Sequence, residues 1–240
     1  MNDILITICA RGGSKGIPGK NVKELNGKPL IAYTINIAKN ISKILSADIA
    51  LSTDADNIKN IARKYGVETD YERPLELASD FASKIDVINN ILLYEENKKN
   101  GRYKYIFDLD ITSPLRTVKD LMLAFQLLKN NEEALNIFSV SRAKRNPYFN
   151  MVEQNNKNDF IKLVKKGDKI KYRQTAPEVF DMNASFYIYR RSFFDMKMET
   201  PITNRSIVYL MPHICFDLDE PEDFIIMDII IKNNLLDFDI

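Results

Sequence analysis

A layered α/β architecture around a mainly parallel sheet is predicted by three features of this 240-residue chain. Short apolar, β-branched runs alternate with amphipathic stretches of about a dozen residues, the pattern of βαβ units. A run rich in glycine and lysine stands directly after the first apolar segment. Acidic residues follow several later segments, and parallel sheets collect ligand-binding groups at the carboxyl ends of their strands.

Each element has a local reason. Ile4–Cys9 is apolar and β-branched and reads as a buried strand. Residues 29–40 place Leu30, Ile31, Thr34, Ile35 and Ala38 at helical spacing. Residues 47–52 read as a second strand, 55–65 as a helix and 66–69 as a short third strand. Ile88, Ile91 and Leu92 define a helix over 85–97, and 103–109 is an aromatic, apolar strand ending in acids. A helix over 118–129 and a strand over 135–140 continue the alternation.

The pattern breaks at 141–172, where polar stretches separate strand-like pieces at 148–152 and 160–164. Phe149, Met151, Phe160 and Leu163 give this segment apolar residues to bury, so a hairpin projecting from the sheet is expected. Residues 184–189 and 207–211 read as a final strand pair, and 221–235 as a closing helix with Pro221 at its start. The whole is expected to form one three-layer, Rossmann-like domain spanning 1–240, with the 141–172 arm inserted in it.

Bulk properties exclude several functions. Thirty-four basic against 33 acidic residues leave a formal charge of +1, without the basic excess of a nucleic-acid binder. There is no 18-residue apolar stretch, so no membrane span is expected. The first strand begins so early that no signal peptide is expected, which points to a cytoplasmic protein. Cys9 and Cys215 lie in apolar runs and read as buried free thiols. With His213 the single histidine, neither a His/Cys zinc site nor a Ser-His-Asp triad is supported.

The chemistry concentrates in the run from Ala10 to Asn21. Four of the eight glycines lie between Gly12 and Gly19, among Arg11, Ser14, Lys15 and Lys20. Gly12, Gly13 and Gly16 let a ligand approach the backbone, whose successive N–H groups form an anion nest. Three cations add to it, giving the composition of a triphosphate cradle. It is not a Walker A loop, because no Gly-Lys-Ser/Thr closes it, and it lacks Gly-x-Gly-x-x-Gly.

This run resembles the signature of the CMP-sialic acid synthetases, cytidylyltransferases that activate nine-carbon 2-keto sugar acids (nonulosonates). Further matching motifs stand in family order: Ser52-Thr-Asp54, Arg73-Pro74, Glu76-Leu-Ala-Ser-Asp80, Thr112-Ser-Pro-Leu-Arg116, Arg173-Gln174, Asn183 and Phe216-Asp-Leu-Asp219. The variants Asp108-Leu-Asp-Ile-Thr-Ser-Pro114, Arg145-Asn-Pro-Tyr148 and Asp181-Met-Asn-Ala-Ser185 resemble enzymes acting on legionaminic acid. The resemblance implies CTP and a nonulosonic acid as substrates, pyrophosphate as product, Mg²⁺ as cofactor, and a homodimer joined through the 141–172 arm. N-acetylneuraminate and pseudaminate remain alternative acceptors. An eight-carbon (Kdo) cytidylyltransferase and a non-catalytic CTP-binding protein are the more distant alternatives.

Site residues follow by the same resemblance. Arg11, Gly12, Gly13, Ser14, Lys15, Lys20, Asn21 and Arg73 are the nucleotide-binding candidates, with Lys20 also catalytic. Asp217 and Asp219 match a metal-binding Asp-x-Asp. On a strand, residues i and i+2 share a face about 7 Å apart, a spacing that suits Mg²⁺ and equally a solvated strand end. Asp110, Arg173, Gln174, Asn183 and Tyr187 are the sugar-binding candidates, and an arginine can pair bidentately with a carboxylate. Asp110 replaces the glutamine usual in the sialic acid enzymes. An ionised Asp only accepts hydrogen bonds, so the change favours a diacetamido sugar over N-acetylneuraminate, unless Asp110 caps a turn or binds the metal.

Overall fold

The computed structural model describes residues 2–13, 16–154, 160–166 and 173–240, with Arg173 described in its backbone only. Strand β1 (Ile4–Cys9) leads through the glycine run to a small hairpin of β2 (Glu24–Leu25) and β3 (Lys28–Pro29), then to helix α1 (Leu30–Leu45). β4 (Asp48–Ser52) and α2 (Asp56–Lys64) follow, then α3 (Lys84–Lys99), β5 (Tyr105–Leu109), α4 (Val118–Asn130) and β6 (Asn136–Arg142). The arm carries β7 (Val152–Gln154) and β8 (Ile161–Leu163). β9 (Phe180–Arg190), α5 (Arg191–Asp195), β10 (Ser206–Leu210) and α6 (Pro221–Lys232) complete the described elements.

The helix boundaries have visible causes. Ser83 Oγ accepts the Asp86 N–H at 3.0 Å to open α3, and Thr117 with Asp120 forms a reciprocal capping box on α4. Pro221 stands in the first turn of α6, where its missing N–H costs nothing.

Six strands form one sheet in the order β10-β6-β9-β5-β1-β4, parallel except for β9, which runs antiparallel to both neighbours. Alternate residues feed opposite layers, as the period of two along a strand requires. Ile6, Ile8, Phe107, Ile137 and Ile188 pack against α1, α2, α4 and α6. Leu5, Ile106, Phe138, Tyr187 and Tyr189 face α3 and α5. Helices thus cover both faces, which gives the expected three layers.

Four expectations change. Residues 66–69 form no strand: the Val67 N–H turns back to the Ala62 carbonyl, and the Thr69 hydroxyl takes the Leu51 carbonyl on the outer edge of β4 at 3.0 Å. A side chain there replaces the ladder bond that an added strand would make. β9 and β10 do not pair with each other but flank β6, and β9 starts at Phe180, before a register shift marked by Ala184 at φ 56°. In the arm, residues 147–150 are turn rather than strand, because Asn146 Oδ1 captures the Tyr148 N–H at 2.9 Å. Asp217 and Asp219 lie in an irregular segment, where Leu218 N–H bonds the Thr112 carbonyl at 2.9 Å.

Among the described residues no helix is long and apolar enough to cross a membrane.

Candidate active site

A cavity of about 450 Å³ opens at the carboxyl ends of the central strands, lined by Arg11, Gly16, Lys20, Asn21, Arg73, Lys84, Asp110 and Asp219 among others. The glycine run is held over it from several directions. The Gly12 N–H donates to Asp54 Oδ1 at 2.8 Å, just beyond the end of β4. Asn21, which is buried, donates from Nδ2 to the Arg11 carbonyl at 2.9 Å and so clamps the run. Arg11 pairs with Asp80 at 2.8 Å.

Two glycines are sterically required. A Cβ on Gly16 would stand 2.5 Å from the Asp219 carbonyl oxygen, and one on Gly12 would stand 2.9 Å from Ala55 Cβ. A Cβ on Gly13 would meet nothing within 4 Å, so this position is free of steric demand. Ser14 and Lys15 lie outside the described residues.

Lys20 reaches from a short 3₁₀ turn (Lys20–Val22) to the segment before α6. Its Nζ donates to the Leu218 carbonyl and lies 3.4 Å from Asp219 Oδ1. The loop and the distant Asp-Leu-Asp segment are thereby joined. Arg73 is half-buried, and its buried Nε has no hydrogen-bond partner among the described residues. An unmatched buried donor on the cavity wall is a ready partner for an anionic ligand.

Asp217 and Asp219 are held side by side. Burial, and then the neighbouring Asp219 carboxylate, push Asp217 above the usual carboxylate range. Asp219 lines the main cavity, while Asp217 lines a second one of about 570 Å³ with Asn183, Asp181 and Ser141. Neighbouring carboxylates are hard-oxygen donors of the kind that take a divalent cation together with substrate oxygens. Among the described residues no group of three or more His, Cys, Asp or Glu side chains forms a metal cluster, so Asp217 and Asp219 are the residues that could hold such an ion only with further ligands from a bound substrate.

The sugar-side candidates divide. Asp110 lies on the main cavity, but its oxygens are engaged within the protein. Oδ1 accepts from the Thr112 N–H at 2.9 Å and its hydroxyl at 2.8 Å, and Oδ2 meets Lys84 Nζ at 2.6 Å. Burial by itself would raise its pKa, but Lys84 and Thr112 outweigh it and hold the Asp110 pKa at about 2. The carboxylate thus caps a turn and pairs with a cation instead of offering a free acceptor.

Asn183 is buried on β9, bridging Ser139 (2.6 Å) and Ser141 (2.9 Å) of β6. Tyr187 is buried on the same strand, level with Asp108 of β5. Gln174 is exposed in a 3₁₀ turn (Arg173–Thr175) and does not line the main cavity. The Arg173 side chain lies outside what is described.

Two charged residues were given no role by the sequence reading. Lys84 stands in the first turn of α3, where a lysine reads as solvated; only the fold turns it onto Asp108 and Asp110. Arg116 is fully buried, donating to the Ser113 and Ser185 carbonyls and the Thr34 hydroxyl, with burial lowering its pKa to about 10. It fastens the turn after β5 to β9. His213 has the structural role expected of it: Nε2 lies 3.0 Å from Asp120 and the ring stacks on Phe238. Cys215 is buried and Cys9 half-buried, both as free thiols.

Comparison with known proteins agrees with this geometry. The chain is 39% identical over 237 residues to post-translational flagellin modification protein B of Campylobacter coli, covering 98% of each chain. It is 38% identical to CMP-N,N'-diacetyllegionaminic acid synthase of Campylobacter jejuni, covering 97% of this chain and 96% of the relative. A solved CMP:2-keto-3-deoxy-manno-octonic acid synthetase, complexed with CTP, shares the fold with a TM-score of 0.68 at 15% identity, covering 96% of this chain and 99% of its own. The cytidylyltransferase family profile matches residues 5–231. A glycine run over the cavity, a lysine that ties it to paired acids, and a match over nearly the full length converge on one assignment: the chain belongs to the cytidylyltransferase family.

Proposed function

We propose that this nucleotidyltransferase moves CMP from CTP to the anomeric 2-hydroxyl of a nine-carbon nonulosonate, releasing pyrophosphate, with N,N'-diacetyllegionaminate as preferred acceptor. The observation that carries it is the cavity in which Lys20 and Arg73 face Asp219, Asp110 and Lys84. The match of the same chain to the Campylobacter jejuni legionaminic acid enzyme supports the choice of sugar.

In this reading the glycine run, with Gly12, Gly13, Ser14, Lys15, Lys20 and Asn21, binds the triphosphate, and Arg11 and Arg73 add cationic contacts. The sugar hydroxyl attacks the α-phosphorus, the bond to the oxygen bridging the α- and β-phosphorus breaks, pyrophosphate leaves with the electron pair, and the hydroxyl proton passes to solvent. Lys20 stabilises charge on the phosphoryl oxygens as that bond breaks. Asp217 and Asp219 would hold Mg²⁺, which would supply further charge neutralisation. The residues do no covalent chemistry; they position two anions and offset their charge. Arg173, Gln174, Asn183 and Tyr187 are assigned to the sugar.

The arm is assigned to a homodimer. Val152 and Ile161 on its two strands are 55% and 67% exposed, an apolar surface that a second copy would cover. A cytoplasmic location fits a CTP-dependent reaction.

Pyrophosphate release from CTP, measured with legionaminate, pseudaminate, N-acetylneuraminate and Kdo as acceptors, tests the assignment. Highest kcat/KM is expected with N,N'-diacetyllegionaminate. No release with any nonulosonate would overturn it.

A further inference from the structure

Lys84 is the cavity's least expected cation. Its ammonium lies 2.6 Å from Asp110 Oδ2 and 2.9 Å from Asp108 Oδ2, with the Tyr187 ring centre 4.9 Å away. Asp108 is fully buried and also accepts the Thr7 hydroxyl at 2.9 Å. An ammonium carries three N–H groups; one donates to Asp110 Oδ2, while Asp108 Oδ2 is an ion-pair neighbour without a hydrogen-bond partner among the described residues. About a third of the side chain (36%) remains exposed, and Lys84, Asp110 and Thr112 line the same cavity.

The charge balance decides what the remaining N–H can take. Asp108 and Asp110 balance the charges of Lys84 and of the buried Arg116, so the cluster is close to neutral and gives a phosphate little net attraction. A neutral acceptor suits it best. Lys84 adds a donor at this spot beside Asp110, whose carboxylate already accepts three hydrogen bonds from Lys84 and Thr112. The replacement of glutamine by Asp110 therefore acts indirectly: it anchors Lys84, and Lys84 faces the substrate.

We propose that Lys84 is a specificity-determining residue whose free N–H donates to the carbonyl oxygen of an acetamido group on the acceptor sugar. This rests on the CMP-transfer reading above. A sugar bearing a free amine at that position would instead bring a second ammonium against Lys84 and offer no acceptor. The cytosine carbonyl is the competing neutral acceptor, so the test must separate sugar from nucleotide.

The experiment compares the full chain with Lys84→Gln, using N,N'-diacetyllegionaminate and its two counterparts in which one acetamido group is a free amine. Loss of a charge-assisted hydrogen bond lowers kcat/KM for the diacetyl sugar by about 10- to 100-fold. The KM for CTP stays within about twofold, as expected for a residue that does not bind the nucleotide. The wild-type preference for acetamido over amine, at one of the two positions, narrows by about tenfold or more in the variant. Should Lys84→Gln fail to fold for want of the buried ion pair, Lys84→Gln/Asp110→Asn removes both charges together and is held to the same criteria. A raised KM for CTP with the sugar preference intact would reassign the donor to the nucleotide. A wild type that uses acetamido and amine sugars alike overturns the proposal without any variant. If the wild type releases pyrophosphate with no nonulosonate, it is the reaction assignment that fails, and the two failures are distinguishable.

Discussion

Replacing Gly16 by alanine tests whether the glycine run and the acid pair are mechanically one unit. The new Cβ would stand 2.5 Å from the Asp219 carbonyl oxygen, whereas ordinary contact begins at 3.4 Å. Relief therefore requires a separation of roughly 0.9 Å. Neither side moves freely. The loop is held by Asn21 on the Arg11 carbonyl, and the Asp219 N–H and Glu220 N–H are tied to Asp223 Oδ2 at 3.0 and 2.8 Å, opening α6. Overpacking of this kind costs about 1–3 kcal/mol. At about 2–4 °C per kcal/mol for a chain of this size, the melting temperature should fall by roughly 2–12 °C. The larger effect falls on turnover, because a shift near 1 Å between Lys20 and Asp219 can cost about 10²-fold. Gly13→Ala is the internal control for stability: its Cβ meets nothing within 4 Å, and a surface change of that kind stays within about 0.5 kcal/mol. Thermal unfolding of both variants, and pyrophosphate release by Gly16→Ala against wild type, give the answer. If Gly16→Ala melts like Gly13→Ala and turns over like wild type, the loop and the Asp217–Asp219 segment are not coupled.

Three further outcomes follow from the same geometry. Lys20→Ala removes the donor proposed to stabilise the phosphates and should lower turnover by about 10²-fold, read in single-turnover release of pyrophosphate. Asp217 is raised by burial and by Asp219, so its ionised form disfavours folding above the ordinary carboxylate range. Asp217→Asn should leave metal-free thermal stability unchanged or higher, while the Mg²⁺ concentration that half-saturates activity rises about tenfold or more. Asp110, held at about 2 against an ordinary 3.8, works in the opposite direction. Its contribution is on the order of 2 kcal/mol above pH 4 and is lost as pH falls towards 2, so denaturation midpoints of wild type and Asp110→Asn should converge in that window.

The layers and the phosphate loop were legible from residues 1–140, because period-2 and period-3.6 apolar patterns are local and a glycine run with cations states its chemistry in one stretch. Alternation in β1 put Leu5 and Ile6 on opposite faces, and the helices that meet them lie where the pattern placed them. The acids at 108, 110, 217 and 219 were visible as types in a motif. Their working relations were not. Lys20 is 199 residues from Asp219, and Lys84 is 26 residues from Asp110 across a helix and a strand. No local rule turns a first-turn lysine inward, so the pairing that removes Asp110 as a free acceptor belongs to the tertiary structure alone. The same holds for the strand missing at 66–69, where one threonine hydroxyl competes with a backbone ladder at the sheet edge. Sequence by itself singled out the residues proposed for phosphate and metal. Packing decided which of them face one another, because burial and charge balance depend on neighbours brought together only when the chain is folded.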